Sequence, residues 1–206
     1  MARDRSSIVK QSRREGYALH PKAHKALVKR SALPGYNNSA RPNSGRGSQY
    51  SIQLREKQKV KRLYGLLERQ FRRVMAEANR TQGKTGETLL MLLEQRADNV
   101  IYRAGFAPSR RSARQLITHG HFELNGRRVD IPSLKLIPGD KLTLRSSSIT
   151  NSYFKQLDEV SPAPAEVPSW LKVNRKKVEV SVASYPARDD AEPDINEQLI
   201  VEYYSR

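Results

Sequence analysis

The chain carries 38 lysines and arginines against 21 acidic residues, and the excess is unevenly placed. Residues 1–48 hold 11 cations and 2 carboxylates, residues 49–86 hold 10 and 3, residues 87–145 hold 10 and 6, and residues 146–206 hold 7 and 10. Like charges at that density repel one another in a compact state and attract polyanions. The first two fifths of the chain can therefore build only modest cores, with most cations left for the surface. Only 37% of all residues are hydrophobic, which points the same way. Nucleic acid is the natural partner, because each neutralised phosphate releases a condensed counterion. The C-terminal tail is different. It gathers Asp189, Asp190, Glu192, Asp194 and Glu197, and reads as a packing or protein-contact element.

Several classes drop out early. There is no cysteine, so disulfides and thiolate metal sites are excluded. His20 and His24 have helical spacing, but Pro21 lies between them and no third ligand is evident, so no metal and no cofactor are expected. No stretch approaches the roughly 20 apolar residues that span a bilayer, so no membrane partner is expected. Met1-Ala2-Arg3-Asp4-Arg5 lacks the apolar run of a secretory signal, and a cytoplasmic protein is expected.

Residues 1–48 read as a basic arm. Gly, Pro, Ser and Asn crowd Leu33–Ser39 and Arg41–Gly47, segments that cannot bury enough surface to offset their ordering entropy. A disordered tail and an arm ordered against RNA are both open; the second is preferred, with Arg13, Arg14 and Arg46 as contacts and Tyr17 and Tyr36 as weak stacking candidates. Residues 51–79 predict a helix. Val60, Leu63, Tyr64, Leu67, Phe71, Val74 and Met75 recur at spacings of three and four. Arg55, Lys61, Arg62, Arg69, Arg72 and Arg73 occupy the opposite side, with Lys57 on the same segment. Surface helices normally mix signs for pairing, so this face is read as an RNA contact. Gly65 interrupts it, either to admit a phosphate backbone or as tolerated variation.

Thr81–Gly86 breaks the pattern, and a second helix is expected over 87–104, stopped at Gly105. Ser109 is a plausible N-cap for a third, which ends at Gly120. Its Ala113, Leu116 and Ile117 face inward, leaving Arg110, Arg111 and Arg114 outside. Asn125-Gly126 is the preferred pair for a type I′ turn, so Phe122 should face Val129 across a hairpin. Pro138-Gly139-Asp140 makes a second turn ahead of the alternating strand Lys141–Arg145. A short helical stretch near 151–159, a Pro-rich linker, core positions Trp170 and Leu171, and a strand through Val178, Val180 and Val182 follow. Asp194 and Glu197 have capping-box spacing ahead of a short terminal helix.

The strongest constellation is 94–145. A helix start bearing Arg110, Arg111 and Arg114 offers free N–H groups and planar donor forks to phosphate. The hairpin adds His121, Asn125, Arg127 and Arg128, with His119 beside it; His119 and His121 either meet phosphate or cap the helix. Such a unit suits recognition of a folded RNA backbone by shape. The expected fold class is α+β: a mostly helical domain plus a small RNA-binding module of two helices packed on a short antiparallel sheet. The expected divisions are an arm at 1–48, a helical domain at 49–93, the module at 94–160, a linker and extra-strand region at 161–193, and a short terminal helix at 194–206 that packs back on the body.

Ser112–Pro132, Gln53–Gly65 continuing through Leu67–Arg72, and the ending Ile195–Arg206 resemble the small-subunit ribosomal protein S-four family. The resemblance runs in order over about residues 50–206, and it implies that the arm and the C-terminal helix at 194–206 join the helical domain at 49–93. It implies a structural constituent of the small ribosomal subunit that binds 16S rRNA early, at a helix junction of the 5′ domain, and nucleates assembly there. It further implies contact with ribosomal protein S-five, a place near the path by which mRNA enters the subunit, an influence on translational accuracy, and in some members repression of their own mRNA. The entry-side role falls on Arg41, Arg46 and Arg55, and the protein contacts on Asn196, Glu197, Glu202 and Tyr203. No homo-oligomer is implied. Some members hold zinc in the arm; this chain has no cysteine there and carries none over.

The same module occurs as an appendage of enzymes, including pseudouridine synthases and a tyrosyl-tRNA synthetase, but no P-loop, dinucleotide-binding glycines or nucleophile elbow is present. Asp98, beside Arg96 and Arg103, reads as a surface ion pair rather than a catalytic acid. A non-ribosomal RNA-binding factor is disfavoured by the long basic helix, and DNA binding by the absence of a DNA-reading motif.

Overall fold

The apolar stripe between residues 51 and 79 builds two helices, not one. In the computed structural model, which describes residues 4, 6–30, 32–35, 48–164 and 166–205, α3 is Gln49–Leu63 and α4 is Glu68–Arg80. The break is at Gly65, whose φ of +65° belongs to the left-handed region that side chains avoid. The Gly65 N–H donates to Arg62 O at 3.1 Å and the Leu66 N–H to Lys61 O at 2.9 Å. Those two bonds satisfy the last carbonyls of α3 and turn the chain. Gly65 is thus a helix terminator. Periodicity alone could not show this, because Leu63, Tyr64 and Leu66 are all buried on both sides of the turn.

The described residues divide into two units. The first comprises those up to Gly86 together with the chain from Asp194 onward. It is wholly helical: α1 (Ile8–Glu15), α2 (Pro21–Lys29), α3, α4 and the terminal α10 (Glu197–Tyr204). Phe71, Met75 and Ala78 form the buried stripe of α4. Helix α10 returns to α3 and α4: the Phe71 and Tyr204 rings lie 6.2 Å apart, and Tyr50 of α3 meets Tyr203 at 5.7 Å. Its cap is Asn196, whose side chain accepts from the N–H groups of Gln198 and Leu199, so the expected capping box on Asp194 does not form. Asn196 is the better cap because it stands immediately before the first helical residue.

The second unit, Glu87–Pro193, carries a five-stranded antiparallel sheet in the order β2-β1-β3-β5-β4. The strands are β1 (Phe122–Leu124), β2 (Arg127–Val129), β3 (Lys141–Leu144), β4 (Leu171–Asn174) and β5 (Glu179–Val182). Phe122 faces Val129 as the turn chemistry requires. From the segment expected to be linker and extra strand, β5 pairs with β3 and β4 with β5, completing the same sheet. Period-two alternation sends Phe122, Leu142, Val180, Val182 and Leu171 into one core with Trp170 and with Val100, Ile101, Ala113 and Ile117 of the helices.

The helix expected over 87–104 is also two, α5 (Thr85–Glu94) and α6 (Ala97–Arg103). Arg96 is extended at the break and bridges Lys135. Carbonyls of Leu134 and Pro132 accept from the N–H groups of Ala97 and Asp98, at 2.8 and 3.1 Å. The loop before β3 thus supplies partners that an unbroken helix would have made internally. Helix α7 (Arg110–Thr118) is capped by Ser109 as expected, and short helices α8 (Ser152–Lys155) and α9 (Leu157–Val160) follow β3. Among the described residues, no helix is long and apolar enough to cross a membrane.

Phe71→Ala should destabilise the protein by about 3–5 kcal/mol, the range for a large-to-small change in a sealed core. Urea denaturation measures it, and an unchanged midpoint would contradict the packing of α4 and α10.

Candidate nucleic-acid interface

The cations of the helical unit fall into two groups, those met from within and those left outside. Arg55 donates to Glu15 Oε1 at 3.1 Å, and Arg62 donates to the same oxygen. The Glu15 side chain is fully buried between α1 and α3. Burial raises its pKa above the ordinary carboxylate value, against the opposing pull of Arg55, Arg62 and Arg14. Lys57 is buried, donates to Glu68 at 2.8 Å, and sits 4.8 Å from the centre of the Tyr203 ring. Lys61 reaches the other oxygen of Glu68 at 3.1 Å. Burial works against ionisation of Glu68, but the hydrogen bonds from Lys57 and Lys61 outweigh it and lower the pKa to about 2. Arg13 is spent on the backbone, donating twice to Ala32 O at 3.0 and 2.7 Å. Of the expected contacts on this unit, Arg55, Lys57, Lys61, Arg62 and Arg13 are therefore engaged internally. Arg14 is exposed on α1, and Arg41 and Arg46 lie outside the described residues.

Helix α4 holds the second group. Arg69, Arg72, Arg73 and Arg80 are all exposed. At 100° per residue they fall within an arc of about 100°, opposite Phe71, Met75 and Ala78. Arg80 was missed in the sequence, although its spacing from Arg69 and Arg73 continues the same stripe. Helix α2 adds exposed Lys22, Lys25 and Lys29, hidden in the sequence by the loop-like composition around them.

The second unit sorts its cations the same way. Arg96 makes a two-pronged pair with Asp98 at 3.0 and 2.7 Å, and Arg114 donates to Asp98 at 3.2 Å. Asp98 is buried, so the expected surface ion pair is an interior one, and Arg103 pairs with Glu94 instead, at 3.1 and 2.9 Å. Arg110 donates to Asn99 Oδ1 at 2.8 Å and to Glu192 at 3.2 Å, and lies 4.6 Å from the centre of the Tyr102 ring. Arg110 and Arg114, expected outside, thus brace α7 against α6. Arg111 alone of the three points outward, because the helix turn puts it on the face shared by exposed Gln115, Thr118 and His119.

The hairpin lies against the end of that face. At Gly120, with φ of +71°, a Cβ would stand 2.5 Å from Arg128 Nε. The bare backbone lets the Arg128 guanidinium lie over the C-terminus of α7, beside His119, which is its C-cap. Arg127 and Arg128 are exposed. His121 is half-buried, with Nδ1 3.0 Å from Ser148 Oγ and its ring against Phe154 at 5.5 Å. Burial, followed by the charge of His119, lowers its pKa, which favours the neutral ring. Asn125 turns its side chain onto the neighbouring turn, donating to Asp140 at 2.9 Å and accepting from the Lys141 N–H at 3.0 Å. Its work is to hold two turns together. The module's outward basic face is therefore Arg111, Arg127 and Arg128, with the exposed His119 among them.

The residues expected to face a protein partner also have internal roles. Glu202 accepts from Gln53 at 2.8 Å, Tyr203 covers Lys57, Glu197 packs on Gly86, and Asn196 caps α10.

Residues 3–94 match the family described as Ribosomal protein S4/S9 N-terminal domain, and residues 95–142 match the S4 domain. With the geometry above, these matches define the class: a structural, non-enzymatic protein carrying an RNA-binding S4 domain. Over its whole length the chain is similar to the small ribosomal subunit protein uS4 of Chlorobium phaeobacteroides, at 47% identity over 100% of both chains. The same protein of Herpetosiphon aurantiacus is 46% identical and that of Roseiflexus castenholzii 48%, again over 100% of each chain. The chain belongs to the uS4 family of small ribosomal subunit proteins. Its setting is the cytoplasmic ribosome, as for these bacterial relatives.

The buried carboxylate of Glu15 makes a pH prediction. Its pKa is raised in the folded protein, so the fold binds more protons there than the unfolded chain, and its share of stability falls as pH rises through the folded pKa. The wild type should therefore gain stability relative to Glu15→Gln as pH is lowered from 7 toward 5. Urea midpoints of the two proteins at both pH values check this; a difference that is constant with pH would contradict it.

Proposed function

We propose that this chain is a primary binder of 16S rRNA, nucleating the 5′ domain of the small subunit through two separate cationic faces. One is the α4 stripe of Arg69, Arg72, Arg73 and Arg80. The other is Arg111, His119, Arg127 and Arg128 around the end of α7. The carrying observation is the sorting itself: Arg55, Arg62, Lys57, Lys61, Arg96, Arg110 and Arg114 are drawn onto carboxylates, whereas these two sets present exposed side chains on rigid elements. Rigid placement matters because a phosphate contact on a fixed fork loses less freedom on binding than one on a mobile chain. Helix and hairpin present such forks to a backbone path rather than to base edges, which suits structured RNA.

Contact with ribosomal protein S-five belongs to this proposal. So do a place beside incoming mRNA, with Arg41, Arg46 and Arg55 nearest to it, and an influence on translational accuracy. The protein-facing surface is proposed on α10 and the start of α3, where Tyr50 stands exposed beside Tyr203. Repression of the chain's own mRNA would use the same two arginine faces.

Binding to a 5′-domain fragment of 16S rRNA across a salt series, with an unrelated structured RNA as competitor, tests the proposal. Affinity should survive the competitor and fall steeply with salt. Arg72→Ala with Arg73→Ala, and separately Arg111→Ala with Arg128→Ala, should each weaken binding and flatten the log–log salt slope by about one per contact removed. Melting temperatures should stay unchanged, since these side chains are exposed. Unchanged binding in both pairs, or equal affinity for the two RNAs, would overturn the reading.

A further inference from the structure

The second unit contains a closed ring of polar contacts that the proposed interface does not use. Glu94, fully buried, accepts from Arg103 and from Asn99, the latter at 2.6 Å. Asn99 accepts from Arg110, Arg110 donates to Glu192, and Glu192 lies 3.5 Å from Arg103. Two guanidiniums thus share two carboxylates, but the carboxylates are not held alike. Glu94 is locked at 2.9 Å with no exposed side-chain surface, whereas Glu192 sits at 3.2 and 3.5 Å with 23% of its side chain exposed. Charge-assisted pairs of this kind normally close to about 2.7–2.9 Å. Glu192 is therefore the loose member.

The arginines beneath it are rigid. Arg110 is fixed by Asn99 and the Tyr102 ring, and Arg103 by the doubly bonded Glu94. Their side chains are only 11% and 18% exposed, with Glu192 paired to both. A third cation, Arg188, donates to the backbone carbonyl of Glu192 at 3.4 Å. If the Glu192 side chain rotates outward, two prefixed guanidiniums are left beside the start of α7 with one carboxylate between them, and an anion of similar size can take the vacated position. Arg111, on the outward face of the same helix, adjoins it in sequence.

We propose that Arg103 and Arg110 form a phosphate site that Glu192 occupies in the RNA-free protein and yields to an RNA phosphodiester. The inference rests on the RNA-binding reading of α7 above. Glu192 acts there as a built-in competitor. It keeps the arginine pair neutral and ordered in the free chain and lowers affinity for any polyanion that cannot displace it. Specificity by such internal competition costs affinity for every ligand, and costs most for the weak ones.

The test uses the full-length chain and the 5′-domain rRNA fragment. Glu192→Gln, similar in shape but uncharged, should bind at least about threefold more tightly at fixed salt, because the competitor is gone. Adding Arg110→Lys, which keeps a cation but not the fork, should erase most of that gain. Asp189→Asn removes a nearby exposed carboxylate outside the ring and should show no comparable gain. Unchanged or weaker binding by Glu192→Gln would overturn the proposal, as would an equal gain from Asp189→Asn, which would reduce the effect to long-range charge. A lower melting temperature with weaker binding would make Glu192 a structural strut, which also overturns it. Failure of the interface reading is separate: it shows as unimpaired binding by the Arg111→Ala, Arg128→Ala pair, whatever Glu192 does.

Discussion

Internal neutralisation by a few carboxylates set between helices is the constraint on which the rest of this structure depends. Glu15, Glu68 and Asp98 each hold two cations, and Glu94 holds Arg103. Asn99 completes the site of Glu94 as a neutral donor. A chain with net charge +17 cannot bring its helices together without such points. Each sits where two elements cross: Glu15 ties α1 to α3, Glu68 ties α4 back to α3, and Asp98 and Glu94 tie α6 to α7 and to the end of α5. A buried ion pair is not a strong source of net stability, because desolvation offsets much of the attraction. Its use here is positional. Losing one member would leave an uncompensated charge inside, so alternative helix arrangements are penalised.

That arrangement also decides which arginines are left for a ligand. Arg110 and Arg111 are neighbours, yet one is a brace under Glu192 and the other faces out. Arg62 and Arg72 lie on adjacent helices, yet the first is taken by Glu15 and the second stands on the exposed arc of α4. The outward cations sit on helices and on a short hairpin, so their spacing is set by backbone geometry. Gly120 shows how close the tolerances run. Without a side chain there, Arg128 can cross the end of α7, and the helix and hairpin cations become one face.

The same logic explains where helices stop. Gly65 closes α3 and Gly120 closes α7 with the same pair of backbone bonds, each turning the chain toward a partner element. The break between α5 and α6 has another cause, since no glycine or proline lies there. It exists because the loop at 132–136 offers carbonyls to the N–H groups of Ala97 and Asp98. Beyond the S4 domain match, β4 and β5 complete the sheet and bring Trp170 and Val180 into the core. Arg175 staples this extension, donating to Gly105 O at 2.9 Å and to Ser161 O.

Much was legible along the chain because it depends on neighbours in sequence. The apolar stripe of α4, the Ser109 cap, the Asn125-Gly126 turn with Phe122 facing Val129, the strand that begins at Lys141 and the α+β class all follow from periodicity, capping and turn chemistry within a few residues. The basic excess and its place in the first two fifths follow from composition. Tertiary structure alone decided the fate of individual charges. Glu15 lies 40 residues from Arg55 and Glu192 lies 82 from Arg110, separations at which no local pattern signals a pair. It also decided that Lys57 is buried under Tyr203, that Asn125 holds the next turn, and that residues 171–182 join the module's sheet. The physical reason is one of range. Propensity and turn chemistry act within a few residues, whereas an ion pair or a strand pairing forms only once the fold has brought distant segments to within about 3 Å.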